Sequence, residues 1–264
     1  MSDTTVIQER LAPYTRIGLV ELDASAALPH RVDTKYLLPT GQLAEVLDEL
    51  AVTHAVLDID GSTGFDYRSA YFDTPGLSCF HAHRQGRRLR WKIRTRTYQN
   101  SGRTRLEVKL KDGRGATDKH ALVLPGPRAS DPTQARDFLH QVLTTRYRVD
   151  APAALITTLV VCHQRMTLTE PSAGARVTID TGLWFNGRDG QSGLRPGLAL
   201  VETKSLHGRS RADAALHATH ARPVAVSKYC TGMALTSPDL PEQPWRRLLR
   251  DYFLAGSHRA LVAA

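Results

Sequence analysis

Between His30 and about residue 235 the apolar positions recur mostly at every second residue, the period of a strand with two unlike faces, and only occasionally at helical intervals. Arg31 to Leu38 alternates, and Pro39-Thr40-Gly41 then leads into Gln42 to Leu50, where Leu43, Val46, Leu47 and Leu50 share one side of a helix. Further strands are predicted at Tyr67 to Phe72, twice between Arg87 and Lys111, near Lys119 to Leu124, at Leu155 to Thr169, Ala175 to Thr181 and Gly197 to Lys204. Gln99-Asn100-Ser101-Gly102 separates two alternating runs and predicts a hairpin. An amphipathic helix is predicted over Thr133 to Tyr147, after a Pro/Gly-rich linker from Pro125 to Pro132, and a short helix over Arg211 to Thr219. Trp245, Leu248, Leu249, Tyr252 and Phe253 give the tail from Pro244 to Ala263 helical spacing. The expected organisation is an N-terminal arm over 1–29, one folded domain over 30–235 and a C-terminal amphipathic helix within 236–264 that packs on it. No internal repeat stands out.

The polar side of the alternation is where the pattern becomes specific. From Arg88 the even positions read Arg88, Arg90, Lys92, Arg94 and Arg96, with Leu89, Trp91, Ile93 and Thr95 opposite. The second arm of the hairpin places Arg103, Arg105, Glu107, Lys109 and Lys111 on one face, opposite Leu106, Val108 and Leu110. A merely solvated face mixes signs, because like charges side by side on neighbouring strands repel. Charged faces recur with Arg31, Asp33 and Lys35, with Arg176 and Asp180, and with Glu202 and Lys204. Their convergence predicts an α+β fold in which a closed antiparallel β-barrel, surrounded by helices, carries an anion-binding tunnel. The carboxylates among the cations suit Mg²⁺ or Mn²⁺, which bind through one or two such groups together with substrate phosphates.

Composition narrows the partner. The 264 residues carry a formal charge of +9, with 41% hydrophobic residues, enough for a sizeable core and a surplus of cations that calls for an anion. No apolar run approaches the about 18 residues that cross a bilayer, and the N-terminal residues lack a basic stretch followed by an apolar one, so a cytosolic protein is expected. Cys79, Cys162 and Cys230 stand apart and are expected to be reduced. Neither a P-loop nor a Gly-x-Gly-x-x-Gly follows a strand, and Gly113-Arg114-Gly115 reads as a turn. His81-x-His83 lacks the company of a metal motif and is read as surface or structural. A nucleic-acid module is the rival that the charge suggests, but aromatic residues are only 6% and Trp91 points away from the basic face. The arginines of the tail, Arg246, Arg247 and Arg250, leave a membrane-surface anchor as the rival to packing on the barrel.

Several motifs, in order, resemble the triphosphate tunnel metalloenzymes and, within them, the VTC-type polyphosphate polymerase domain. Arg31-Val32-Asp33-Thr34-Lys35-Tyr36 is similar to the first-strand signature, and Ser69-Ala70-Tyr71-Phe72-Asp73-Thr74 to a later strand. Arg90-Trp91-Lys92-Ile93-Arg94-Thr95-Arg96-Thr97-Tyr98, Leu106-Glu107-Val108-Lys109, Val201-Glu202-Thr203-Lys204 and Ser227-Lys228-Tyr229 follow in the same sequence. The resemblance implies transfer of the γ-phosphate of ATP onto a polyphosphate chain. It implies that Lys35, Arg94, Arg96, Lys109, Arg165, Arg176 and Lys228 serve the transfer and that Arg31, Arg90, Lys92, Lys119 and Lys204 bind substrate. Glu202, Glu107 and Asp33 are the implied ligands of Mn²⁺ or Mg²⁺. The same lining would serve a tripolyphosphatase or nucleoside triphosphatase, or a non-catalytic polyphosphate receptor.

Overall fold

In the computed structural model, residues 3–25, 32–111, 117–126, 136–206, 208–255 and 257–258 are described. The chain opens with α1 (Asp3–Arg10), β1 (Thr15–Ile17) and α2 (Leu19–Ser25), then β2 (Val32–Pro39), α3 (Thr40–Leu50), β3 (Ala55–Leu57) and β4 (Phe65–Asp73). It continues through α4 (Ser78–Arg84), β5 (Arg90–Tyr98), β6 (Arg103–Lys111), β7 (Thr117–Leu124), α5 (Arg136–Tyr147), β8 (Ile156–Glu170) and β9 (Ala175–Gly187). β10 (Gly190–Gly193), β11 (Leu198–Ser205), α6 (Arg211–Ala218), α7 (Lys228–Thr236), α8 (Arg246–Tyr252) and β12 (Ser257–His258) complete it. Arg31, the Gly113-Arg114-Gly115 turn and most of the Pro125 to Pro132 linker lie outside the described residues.

One antiparallel path, β2-β11-β9-β8-β4-β5-β6-β7, carries the architecture. Its alternation puts apolar side chains outside, where helices cover them. Tyr36 and Leu38 of β2, Val177 and Ile179 of β9 and Met166 and Leu168 of β8 pack with α1, α3 and α6. Ile93, Leu106, Val108 and Leu110 of the β5-β6 hairpin pack with Leu139, Val142 and Leu143 of α5. Asp213 completes the capping box that Ser210 opens at the start of α6 and accepts hydrogen bonds from Tyr36 (2.8 Å) and Thr203 (2.6 Å), fixing that helix to β2 and β11.

The inner face changes character along each strand. In β2 it runs from Asp33 and Lys35 to Leu37, and in β11 from Lys204 and Glu202 to Leu200. Tyr71, Leu159, Val161 and Phe185 extend the apolar half, and α7 seats Tyr229, Cys230 and Met233 against it. α7 was not predicted, because KYCTGMALT is buried nearly all round and has no polar stripe to reveal a period. Its Gly232 stands where a Cβ would lie 2.6 Å from Leu159 and Phe185, so only glycine allows this approach. The inward parity of β9 switches at a bulge. Cys162 pairs with Trp184 but Gln164 with Thr181, and the extra residue falls at Gly182 with φ +57°.

Closure of the barrel takes a form that alternation does not reveal. Among the described residues no ladder joins β7 to β2; the free edge of β2 meets Pro223 in a bridge and gives the Lys35 carbonyl to the Val224 N–H at 2.8 Å. Side chains span the gap instead, with Lys109 of β6 reaching Asp33 of β2 at 3.7 Å. The C-terminal helix is shorter than its apolar spacing suggested. It ends at Tyr252 because Arg195 takes the carbonyls of Arg250 (2.8 Å) and Phe253 (3.0 Å), and Leu194 bridges Phe253 in extended form. Trp245, Leu249 and Phe253 are buried in the α7 cluster.

Candidate anion-binding tunnel

Register brings the charged inner faces together. Lys35 stands opposite Glu202, and Asp33 opposite Lys204, which is itself opposite Arg176. On the other wall Arg94 pairs with Glu107, Lys92 with Lys109, and Lys109 with Lys119. Four carboxylates sit among these cations. Arg94 grips Glu107 through Nε (2.7 Å) and Nη2 (2.6 Å), and Lys119 takes its other oxygen at 2.5 Å. Arg165 holds Asp180 at 2.6 and 2.8 Å, and Lys228 binds the same carboxylate. Glu202 is bonded by Lys204 and lies 3.8 Å from Lys35, while Asp33 lies between Lys109 and Lys204, 3.9 Å from the latter.

Burial would push Glu107, Asp180 and Glu202 up, but the cations win. Arg94, Arg96 and Lys119 hold Glu107 below the ordinary carboxylate value; Arg165, Lys228 and His163 do so for Asp180, and Lys204, Lys35, Lys228 and Arg165 for Glu202. Arg94 and Arg165, paired with Glu107 and Asp180, are held more firmly charged, whereas several other cations are strained in the opposite sense. Burial lowers Lys92, Lys119 and Lys228, and burial and Arg94 lower Arg96, because removal from water and the like charges nearby disfavour the charged form. An anion arriving among them relieves both costs.

Smaller groups aim the guanidinium forks. Tyr71 accepts from Arg94 at 2.9 Å and Ser69 from Arg96 at 3.3 Å. The guanidinium carbons of Arg96 and Arg165 lie 5.0 and 5.4 Å from the centroid of the Tyr67 ring. Lys92 donates to Ser227 at 2.8 Å, the residue that caps α7, so the helix start faces the basic half. Asp73 accepts from Thr74, Cys79 and Phe80, which starts α4, and from Tyr229 at 2.6 Å, which anchors α7. Tyr67 was not singled out by sequence, although it has the parity of Ser69 and Tyr71; Asp180 was placed only on a charged face and Ser227 only within a closing motif, neither with a role at the site.

Of the residues predicted for the site, Lys35, Lys92, Arg94, Arg96, Lys109, Lys119, Arg165, Lys204, Lys228, Asp33, Glu107 and Glu202 meet on this inner face. Arg176 shares it, but its Nη2 donates to the Leu22 carbonyl of α2 at 3.1 Å. Arg90 stands at the Lys111 end of β5 and donates to the Arg87 carbonyl. Arg31 lies outside the described residues. No cluster of three or more His, Cys, Asp or Glu able to hold a metal forms among the described residues.

An antiparallel barrel with charged side chains turned inward and helices outside is the arrangement of the triphosphate tunnel proteins. A putative adenylyl cyclase from Hippeastrum, HpAC1, whose structure is described as revealing a dominant triphosphatase activity, shares it with a TM-score of 0.50 at 13% identity, over 81% of this chain and 99% of that one. PH1819 from Pyrococcus horikoshii (TM-score 0.45, 11% identity, 80% and 99% covered) and a putative adenylate cyclase from Bacillus halodurans (0.43, 11%, 75% and 94%) are similar more loosely. The chain belongs to the VTC domain family, which matches residues 30–237. No curated protein sequence matches it.

Proposed function

We propose that this protein transfers the γ-phosphate of ATP to a polyphosphate chain held on the basic inner face, with Mn²⁺ or Mg²⁺ as its metal. The observation that carries the proposal is the gathering of mutually repelling cations, Arg96 buried and most of the others half-buried, from strands all round the sheet and from the start of α7. Membership of the VTC domain family supports polyphosphate as the anion.

Phosphoryl transfer asks the protein mainly for position and for compensation of charge, so no general base is needed. Arg94, Arg96 and Arg165 offer planar forks that match two phosphate oxygens, and Tyr71, Ser69 and Asp180 set their orientation. Lys35, Lys109, Lys119, Lys204 and Lys228 act as point charges along the chain. The donor set fits a metal whose shell phosphates complete: Lys204 reaches both Glu202 and Asp33, so two carboxylates stand close together. Glu202 would hold the ion with Asp33 beside it, whereas Glu107, gripped by Arg94 and Lys119, keeps those two cations in place. When bound, the metal would neutralise charge on the phosphate oxygens.

Incubation with ATP and Mn²⁺ followed by gel analysis of the products tests the proposal. Long chains are expected. Free phosphate alone would replace the polymerase with a hydrolase that uses the same lining with water as the attacking group, the activity described for the Hippeastrum protein. Unchanged ATP would end the enzymatic reading.

A further inference from the structure

His163 is a buried titratable group to which the proposed transfer gives no task. Its side chain is shielded from solvent on β8, with the Tyr67 ring of β4 stacked at 5.3 Å and Asp180 of β9 on another side, Nε2 lying 3.6 Å from Oδ1. Neither ring nitrogen makes a hydrogen bond. Such idleness is costly for a buried imidazole, and an aromatic hydrocarbon would fill the space without that cost. The remaining charged groups that act on the ring are Arg96 of β5, Arg165 of its own strand and Lys228 of α7. Burial keeps the ring neutral against the pull of Asp180, and the three cations add to that effect.

The balance depends on where two of those cations sit. Arg165 and Lys228 both bind Asp180. A phosphate seated on them competes with Asp180 for their donors and brings negative charge to the centre, and both changes favour an imidazolium. We propose that His163 is a positioning residue that keeps Asp180 compensated: as phosphate draws Arg165 and Lys228 away, the Nε2–H closes on Oδ1 and Nδ1 takes a proton from solvent. No covalent bond between heavy atoms changes, and polyphosphate binding becomes linked to uptake of that proton. The inference rests on the phosphate-binding reading of the same centre.

Calorimetry with tripolyphosphate, without metal, in buffers of different ionisation enthalpy near pH 6.5 tests it on the full chain and on His163→Gln, which keeps a donor but cannot take the proton. The unaltered chain should take up more protons than the variant, the difference approaching about one per site. Equal uptake overturns the inference. Because a buried substitution can unfold the chain, ¹⁵N spectra of the histidine rings of the unaltered protein supply a second reading. One ring should pass from neutral tautomer to imidazolium when tripolyphosphate is added, and no change of charge overturns the inference equally. Absence of any binding heat in the unaltered protein removes the phosphate reading itself, and the histidine linkage with it.

Discussion

Arg94 has two tasks that pull a mutation test in different directions. It faces the tunnel, and it also neutralises Glu107, which is 2% exposed. Arg94→Ala would therefore disturb the fold as well as the ligand site, and Lys35→Ala is the cleaner probe because Lys35 stands 3.8 Å from Glu202 and that carboxylate keeps Lys204. Loss of one charged hydrogen bond costs about 1.5 to 3 kcal/mol, so calorimetry should show tripolyphosphate bound roughly ten- to a hundredfold more weakly by Lys35→Ala, with an unchanged circular dichroism spectrum. Glu107→Gln strips Arg94 and Lys119 of their counter-charge. Breaking a buried pair costs about 3 kcal/mol or more, and urea unfolding should register a loss of that order. Histidines held neutral by burial set the acid limit, His54 among them with His83 and His163. Burial, chiefly, lowers His54 to about 4, so between the ordinary histidine value and pH 4 the unfolded chain binds a proton that the folded one refuses. The contribution of His54 is then fullest above about pH 6.5 and declines as pH falls, by about 3 kcal/mol over the window. Urea midpoints measured from pH 7.5 to 4 should show a decline that is shallower in His54→Gln.

At the scale of elements, α7 couples the packed half of the barrel to the charged half. Its apolar body sits on Leu159, Phe185 and Leu200, its Tyr229 is tied to Asp73, and its first residue delivers the Lys228 ammonium to Asp180. Gly232→Ala would force the helix off Leu159 and Phe185, a misfit worth about 1 to 3 kcal/mol. Both the urea midpoint and tripolyphosphate affinity should fall in that variant, because displacement of the helix also displaces Ser227 and Lys228. Full affinity with normal stability would show that α7 does not set the site. Strand β9 teaches a complementary lesson. Alternation correctly groups Arg176 with Asp180, but the extra residue at Gly182 hands the inner face to Leu183 and Phe185, and no hydrophobic pattern announces that switch.

For the whole molecule, cations gathered on one inner face make affinity for an anion depend on salt. Raising salt from 50 to 500 mM should weaken tripolyphosphate binding by about tenfold, less than for a fully exposed basic surface, because buried pairs are screened less. Salt-independent binding would argue against an electrostatic tunnel. The chain by itself determined the alternating faces, the basic hairpin from Arg90 to Lys111 and the helices α3, α5 and α6, since periodicity of 2 or 3.6 residues is a local property of the chain. Tertiary structure decided which carboxylate meets which cation, because Lys228 finds Asp180 and Lys109 finds Asp33 across strands remote in sequence. It decided also that α7 is a helix, that Arg176 turns to Leu22 and that the barrel meets across β2 by side chains. Those outcomes depend on long-range register and on the burial of charge, neither of which any short stretch of residues encodes.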